Sequence, residues 1–251
     1  MSFDLKGLIP GPITLFTKDG RVDFNAIQRL GSWLGSINGV KGLVVLGHAG
    51  EGTFLTQDEQ VQVIEAFVKS GTEVAAYEAK RAKEAGAQAG LLYPSHGWLR
   101  FGYQPGAPQD RYKTVYENGV RNVRRWDTEI PLFRKERPNV PILTCHDEYL
   151  QHKAFEVDGM RVGYGNIAPE ELLQLIEAGK GRDYKRARQI HDQLLPLTKA
   201  VYYQGGSHME GTVPLKHVLV GCGDLDHATV RSPLVPPRSG VNLVAWCLNM
   251  E

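Results

Sequence analysis

The chain has 251 residues, with 29 Lys and Arg against 28 Asp and Glu for a formal net charge of +1 and a hydrophobic share of 42%. This composition allows a real core and gives no charge-based reason to expect a nucleic-acid or anionic-membrane partner. No apolar run nears the roughly 20 residues of a membrane span, the start lacks a signal-peptide layout, and three scattered cysteines (Cys145, Cys222, Cys247) indicate neither a disulfide framework nor a zinc ribbon. A soluble, cytoplasmic α/β protein is expected, with no cofactor and no metal.

Gly7 to Phe16 holds short apolar runs that predict a strand with prolines at its edge. Asp23 opens an amphipathic helix with Phe24, Ile27, Leu30 and Leu34 on one stripe. Gly42 to Leu46 is wholly apolar, as in a strand buried on both faces of a parallel sheet. It ends in the loop Gly47-His48-Ala49-Gly50-Glu51-Gly52. Thr56 and Glu59 then form a capping-box pattern ahead of Val63, Ile64, Phe67 and Val68.

The alternation then breaks. Glu73 to Ala87, rich in alanine and charge, predicts a second helix directly after Gly71. Ala89 to Tyr93 is a third strand, and Gln109 to Glu117 runs as helix into another containing Val120, Val123 and Trp126. Strand-like runs return at Val140 to Cys145 and Met160 to Gly163. Helices are expected over Glu170 to Ala178, Asp183 to about Tyr203, and Val213 to Val220. The count is about five strands, short of a closed eight-stranded barrel. The expected organisation is an α/β region over 1–168, a helical region over 169–236 and a tail over 237–251.

Several segments could carry chemistry. Gly47 to Gly52 follows a buried strand and precedes a capped helix, where backbone N–H groups can hold a carboxylate. A glycine turn serving only the connection explains the same residues. His146-Asp147-Glu148 is the densest polar cluster, but it lacks a second spaced ligand pair for a metal. A helix N-terminus would favour the same carboxylates. Lys113, Lys153, Lys199 and Lys216 are expected to be solvated surface amines. Ser207 to Glu210 is expected to be structural, and the basic set from Arg121 to Arg137 to be a helix outer face.

Taken in order, six motifs resemble the dihydrodipicolinate synthase / N-acetylneuraminate lyase family. They are Gly7-Leu-Ile-Pro-Gly-Pro-Ile-Thr-Leu-Phe16, Gly47-His-Ala-Gly-Glu51, Cys145-His-Asp-Glu148, Asp158-Gly159 with Gly163-Tyr-Gly-Asn166, Thr212-Val-Pro-Leu-Lys216, and Arg231-Ser-Pro-Leu234. The resemblance implies a (β/α)8 TIM-barrel-related fold with a C-terminal helical extension and Schiff-base lyase chemistry on 2-keto acids; with about five strands, an incomplete barrel is expected. Within the family it is closer to lyases and dehydratases of 2-keto-3-deoxy sugar acids. A homo-oligomer is the expected assembly.

The resemblance also implies a site. The loop Gly47, His48, Ala49, Gly50 and Glu51 would grip the keto-acid carboxylate, although His48 and Ala49 stand where the family has two hydroxyl residues. Asp147 and Glu148 would bind substrate hydroxyls, with Gly163 on the same face as Tyr93 and His96. The family's third strand is expected to be missing between Gly71 and Thr72, and its fifth and sixth strands between Glu117 and Asn118. The second gap would remove the catalytic Tyr and the Schiff-base Lys, with Glu117 where that Lys would fall. The catalytic residues are therefore unknown. The alternative to a lyase acting on a short 2-keto acid or sugar acid is an inactive remnant that binds a carboxylate or works through oligomer contacts.

Overall fold

The structure is a computed structural model, which describes residues 6–76, 84–90, 141, 143–144, 157–202 and 211–235. Among these residues are six short strands: β1 (Leu8–Pro10), β2 (Leu43–Val45), β3 (Val74–Ala76), β4 (Ala89–Gly90), β5 (Leu143–Thr144) and β6 (Gly159–Val162). Every strand pairing is parallel, in the orders β1-β6-β5 and β2-β3-β4. A parallel bridge between Leu8 and Val40 joins the two groups, and the Lys41 N–H donates to the Leu8 carbonyl at 2.9 Å. The strands therefore run side by side as β5-β6-β1-β2-β3-β4, so the last described strand in the chain lies beside the first. That neighbourhood is a feature of (β/α) barrels.

Five helices accompany them: α1 (Phe24–Ser36), α2 (Gln57–Lys69), α3 (Pro169–Lys180), α4 (Tyr184–Tyr202) and α5 (Thr212–Gly221). Local chemistry sets their starts. The Asp23 carboxylate accepts from the Ala26 N–H at 2.9 Å to cap α1, and both bonds of the Thr56–Glu59 capping box are present at α2. Pro169 opens α3, where its missing N–H costs nothing.

The core has two parts. Leu8, Met160 and Val162 pack with Leu172, Leu175 and Ile176 of α3 and Ile190, Leu194 and Leu197 of α4. Leu43, Val45 and Val74 pack with Ile27 and Leu34 of α1 and Val63, Ile64 and Phe67 of α2. Helix α5 bridges them, giving Leu215 and Val218 to the first part and Leu219 to the second.

The strand at Val74–Ala76 corrects two expectations. Helix was expected from Glu73, and the third strand was expected to be missing after Gly71. Instead the Leu43 N–H donates to the Glu73 carbonyl at 2.8 Å, and the fully buried Val74 takes the Gln88 side-chain oxygen on its N–H at 2.7 Å. A Val-Ala-Ala strand carries almost no β signal, and alanine favours helix in isolation; tertiary burial overrides it. The first strand is also shorter than the apolar run 7–16. Beyond Pro10 the chain leaves the ladder, and the Ile13 N–H bonds the Asn166 side chain at 3.1 Å.

Two further expectations change. Lys216 is not a solvated amine: it is 1% exposed. Cys222, at the end of α5, is disulfide-bonded, although no disulfide framework was expected. Lys199 is exposed, as expected. Tyr93, His96, Lys113, Glu117, the 121–137 basic set, Cys145, Asp147, Glu148, Lys153, the 207–210 segment and the 237–251 tail lie outside the described residues. None of the described helices is long and apolar enough to cross a membrane.

Candidate functional site

Because β1, β2 and β6 are parallel, the segments that leave them collect at one end of the strands. Gly11 to Thr14, Gly47 to Glu51 and Gly163 to Asn166 meet there. The Gly11 N–H donates to the Val162 carbonyl at 3.0 Å. The buried Asn166 amide accepts from Ile13 and donates to the carbonyls of Gly11, at 2.9 Å, and Gly163, at 2.6 Å. One side chain thereby ties the exit of β1 to the exit of β6.

The 47–51 loop is tightly formed. Leu46 (φ 60°) and Glu51 (φ 52°) both adopt the left-handed region, each at a cost of about 1–2 kcal/mol for a non-glycine residue. Between them the Glu51 N–H donates to the His48 carbonyl at 3.1 Å. Gly52 closes against Leu46 so closely that a Cβ would overlap the Leu46 carbonyl. The Thr14 hydroxyl donates to the Gly50 carbonyl at 2.6 Å, and the Thr212 hydroxyl to the His48 carbonyl at 3.2 Å. His48 is exposed, whereas Gly50 and Glu51 are buried.

Glu51 is held from both sides. Its Oε1 pairs with Lys216 Nζ at 2.5 Å, and its Oε2 accepts the Arg231 N–H at 3.0 Å. Lys216 also donates to the Thr229 carbonyl at 2.9 Å and lies 4.5 Å from the centre of the Phe16 ring. Burial pushes the Lys216 amine below its usual range, and Glu51 partly restores it. The Arg231 guanidinium, 5.0 Å from the same ring, forks onto both Glu59 oxygens at 2.6 and 2.7 Å and donates to the carbonyls of Gly20 and Phe54. This pairing, opposed by partial burial and helped by the Thr56 bonds, lowers the Glu59 pKa to about 2.

Of the predicted site residues, Gly47, His48, Ala49, Gly50 and Gly163 stand at the same end of the strands, and the Glu51 carboxylate is turned to its anchors. Asp147 and Glu148 are outside the described residues. Thr14, Lys216, Arg231 and Asn166 organise this end and were not singled out from the sequence as site residues. A signal for Lys216 existed: Val213, Leu215, Val218 and Leu219 surround it on a short helix, so a lone lysine there needs a buried partner. Among the described residues no cluster of three His, Cys, Asp or Glu side chains could hold a metal.

A row of parallel strands with packed helices and converging loops at the carboxyl ends of the strands is the arrangement of a (β/α)8-type barrel, the class in which binding sites collect at that face. Residues 4–87 match the dihydrodipicolinate synthetase family. A 4-hydroxy-tetrahydrodipicolinate synthase from Haloarcula marismortui is 26% identical over 279 aligned positions, covering 93% of this chain and 89% of that protein. Those 279 positions exceed the 251 residues of this chain, so at least 28 have no counterpart in it. The first monomeric dihydrodipicolinate synthase variant superposes with a TM-score of 0.81 at 19% identity, over 98% of this chain and 95% of that one. An N-acetylneuraminate lyase from Fusobacterium nucleatum gives 0.78 at 17% identity, over 97% of each. The chain thus matches the synthetase family over residues 4–87 and shares its fold over nearly its whole length with dihydrodipicolinate synthase and N-acetylneuraminate lyase structures.

Proposed function

We propose that this chain is a lyase-type family member that binds the carboxylate of a short 2-keto acid or sugar acid at Gly47 to Gly50. The observation that carries this is the fixed shape of that loop at the carboxyl ends of β1, β2 and β6. Four side chains hold it (Thr14, Thr212, Glu51 and Lys216), and two left-handed residues bracket it. Backbone strain of this kind persists where surrounding contacts fix it, and such sites cluster at ligand clamps. A loop serving only as a connection needs no such support.

In this proposal Gly163 lines the same mouth, and Asp147 and Glu148 contact the hydroxyls of a longer sugar acid. Glu51 acts as the anchor that holds the loop. The synthase names of the relatives describe those proteins; for this chain the proposal extends to the keto-acid carboxylate. Self-association into a homo-oligomer belongs to the same proposal.

The test is calorimetric titration of the full chain with pyruvate, alone and as the His48→Glu variant. His48 is exposed, so the substitution places a negative charge beside the loop without disturbing a core. Saturable binding that weakens at least tenfold in the variant is the expected result. Absence of binding to the unaltered chain, or equal binding by both, removes the proposal.

A further inference from the structure

Arg161 lies on β6, directly opposite Ile9 of β1 in the parallel register. Its strand neighbours Met160 and Val162 both face the core built with α3 and α4. Successive side chains on a strand alternate in direction, so Arg161 leaves β6 on the face turned away from those helices. The paired position on the adjacent strand β1 is apolar and closed: Ile9 is fully buried. A partly buried arginine over such a floor must reach a polar environment at one end of the strands.

Its position shows which end. A Cβ built on Gly47 would lie 3.4 Å from Nη2 of Arg161. The guanidinium therefore lies within van der Waals reach of the first residue of the loop. The loop's own side chains offer little there: Ala49 has no donor, Gly47 and Gly50 have no side chains, and His48 is exposed at the tip.

We propose that Arg161 is a binding residue that pairs with the carboxylate of the ligand held at the 47–50 loop, and that it sets the preference for a carboxylate over a neutral amide. This rests on the proposed carboxylate site. The planar guanidinium fork matches two carboxylate oxygens, which a lysine ammonium does not reproduce. The buried, apolar Ile9 beside it strengthens the pairing by lowering the local dielectric.

The experiment titrates the full chain and its Arg161→Lys and Arg161→Met variants with pyruvate and with pyruvamide, and records urea unfolding midpoints alongside. The expected result is a tenfold or greater loss of pyruvate affinity in Arg161→Met, an intermediate loss in Arg161→Lys, and a collapsed pyruvate-to-pyruvamide ratio at an unchanged midpoint. Equal loss of both ligands makes the residue structural and overturns the inference. Undiminished pyruvate binding by Arg161→Met also overturns it, while leaving the loop site standing. If the unaltered chain binds no pyruvate, both proposals fall.

Discussion

Lys216 and Glu51 lie 165 positions apart in sequence and form a buried ion pair, 1% and 0% exposed, between helix α5 and the loop that follows β2. The pair is the junction of several motifs. Phe16 from the first motif supplies a ring face to the ammonium, Arg231 gives its N–H to the second carboxylate oxygen, and Thr212 bonds the same loop. Lys216 and Arg231 thus converge on one carboxylate, with Phe16 on the ammonium and Thr212 on the loop that carries it. The C-terminal helices are thereby coupled to the mouth of the strands.

Removing one member of a buried pair strands the other charge, and this costs about 3–5 kcal/mol. Lys216→Met keeps the length of the side chain but leaves Glu51 without its cation. The expected outcome is a loss of stability in that range, with a lower urea midpoint. Lys216→Arg, which keeps the charge, is expected to lose less. A midpoint for Lys216→Met within error of the unaltered chain would show that the pair contributes nothing net.

The helices with strong local grammar were legible: Asp23, the Thr56–Glu59 box and Pro169 each mark a start that the structure keeps. So was the loop after β2, because a wholly apolar strand followed by glycines says where the chain must turn. Strand β3 was hidden, since its three residues carry a helix-favouring composition and become a strand only through the β2 edge. The partner of Lys216 was hidden for a related reason. Burial of the lysine depends on Glu51, and no local pattern connects residue 216 to residue 51. Arg161 escaped notice because β6 has one polar position, whose meaning depends on the neighbouring Gly47.

Asn166 offers a second measurable lever. It is fully buried and makes three bonds, accepting from Ile13 and donating to Gly11 and Gly163. Asn166→Asp keeps the shape but replaces two donations with a carboxylate facing two carbonyls. Leaving buried acceptors unsatisfied costs about 1–3 kcal/mol each, more with a charge present. The variant is expected to lose at least ~2 kcal/mol by urea unfolding and to bind pyruvate more weakly, because the exits of β1 and β6 separate. Stability and binding equal to those of the unaltered chain would show that these bonds do not shape the mouth.

The Arg231–Glu59 fork gives a pH dependence with a definite sign. The folded Glu59 pKa is about 2, against an ordinary value of 4.5, because Arg231 and the Thr56 groups favour the ionised form. A depressed carboxylate pKa adds stability that is fully present above the unfolded value. That contribution is lost as pH falls from about 4.5 toward 2. Glu59→Gln removes it at every pH, so the variant is expected to be less stable at pH 7 and to converge on the unaltered chain only as pH falls to about 2 and below. Parallel curves of urea midpoint against pH would refute the linkage.

The last expectation concerns turnover. Schiff-base lyase chemistry converts the keto acid to an iminium that accepts the electrons of the breaking bond. It needs a partly neutral amine and a proton carrier beside the reacting atoms. Lys216 is the buried amine of the described residues, and desolvation lowers its pKa, but its geometry opposes the role. Nζ is engaged by Glu51 and the Thr229 carbonyl and covered by the Phe16 ring, so attack on a carbonyl carbon would first require breaking the anchor of the loop. Lys199 is exposed on the outer face of α4, away from the converging loops. Glu117, placed by resemblance where the family's lysine falls, cannot form an imine. Borohydride treatment with pyruvate is therefore expected to leave the intact mass unchanged, and turnover of 2-keto-3-deoxy sugar acids to be absent or orders of magnitude below that of a complete family member. A stable adduct mapped to one lysine, with turnover abolished when that lysine is changed to alanine, would refute this and identify a relocated nucleophile.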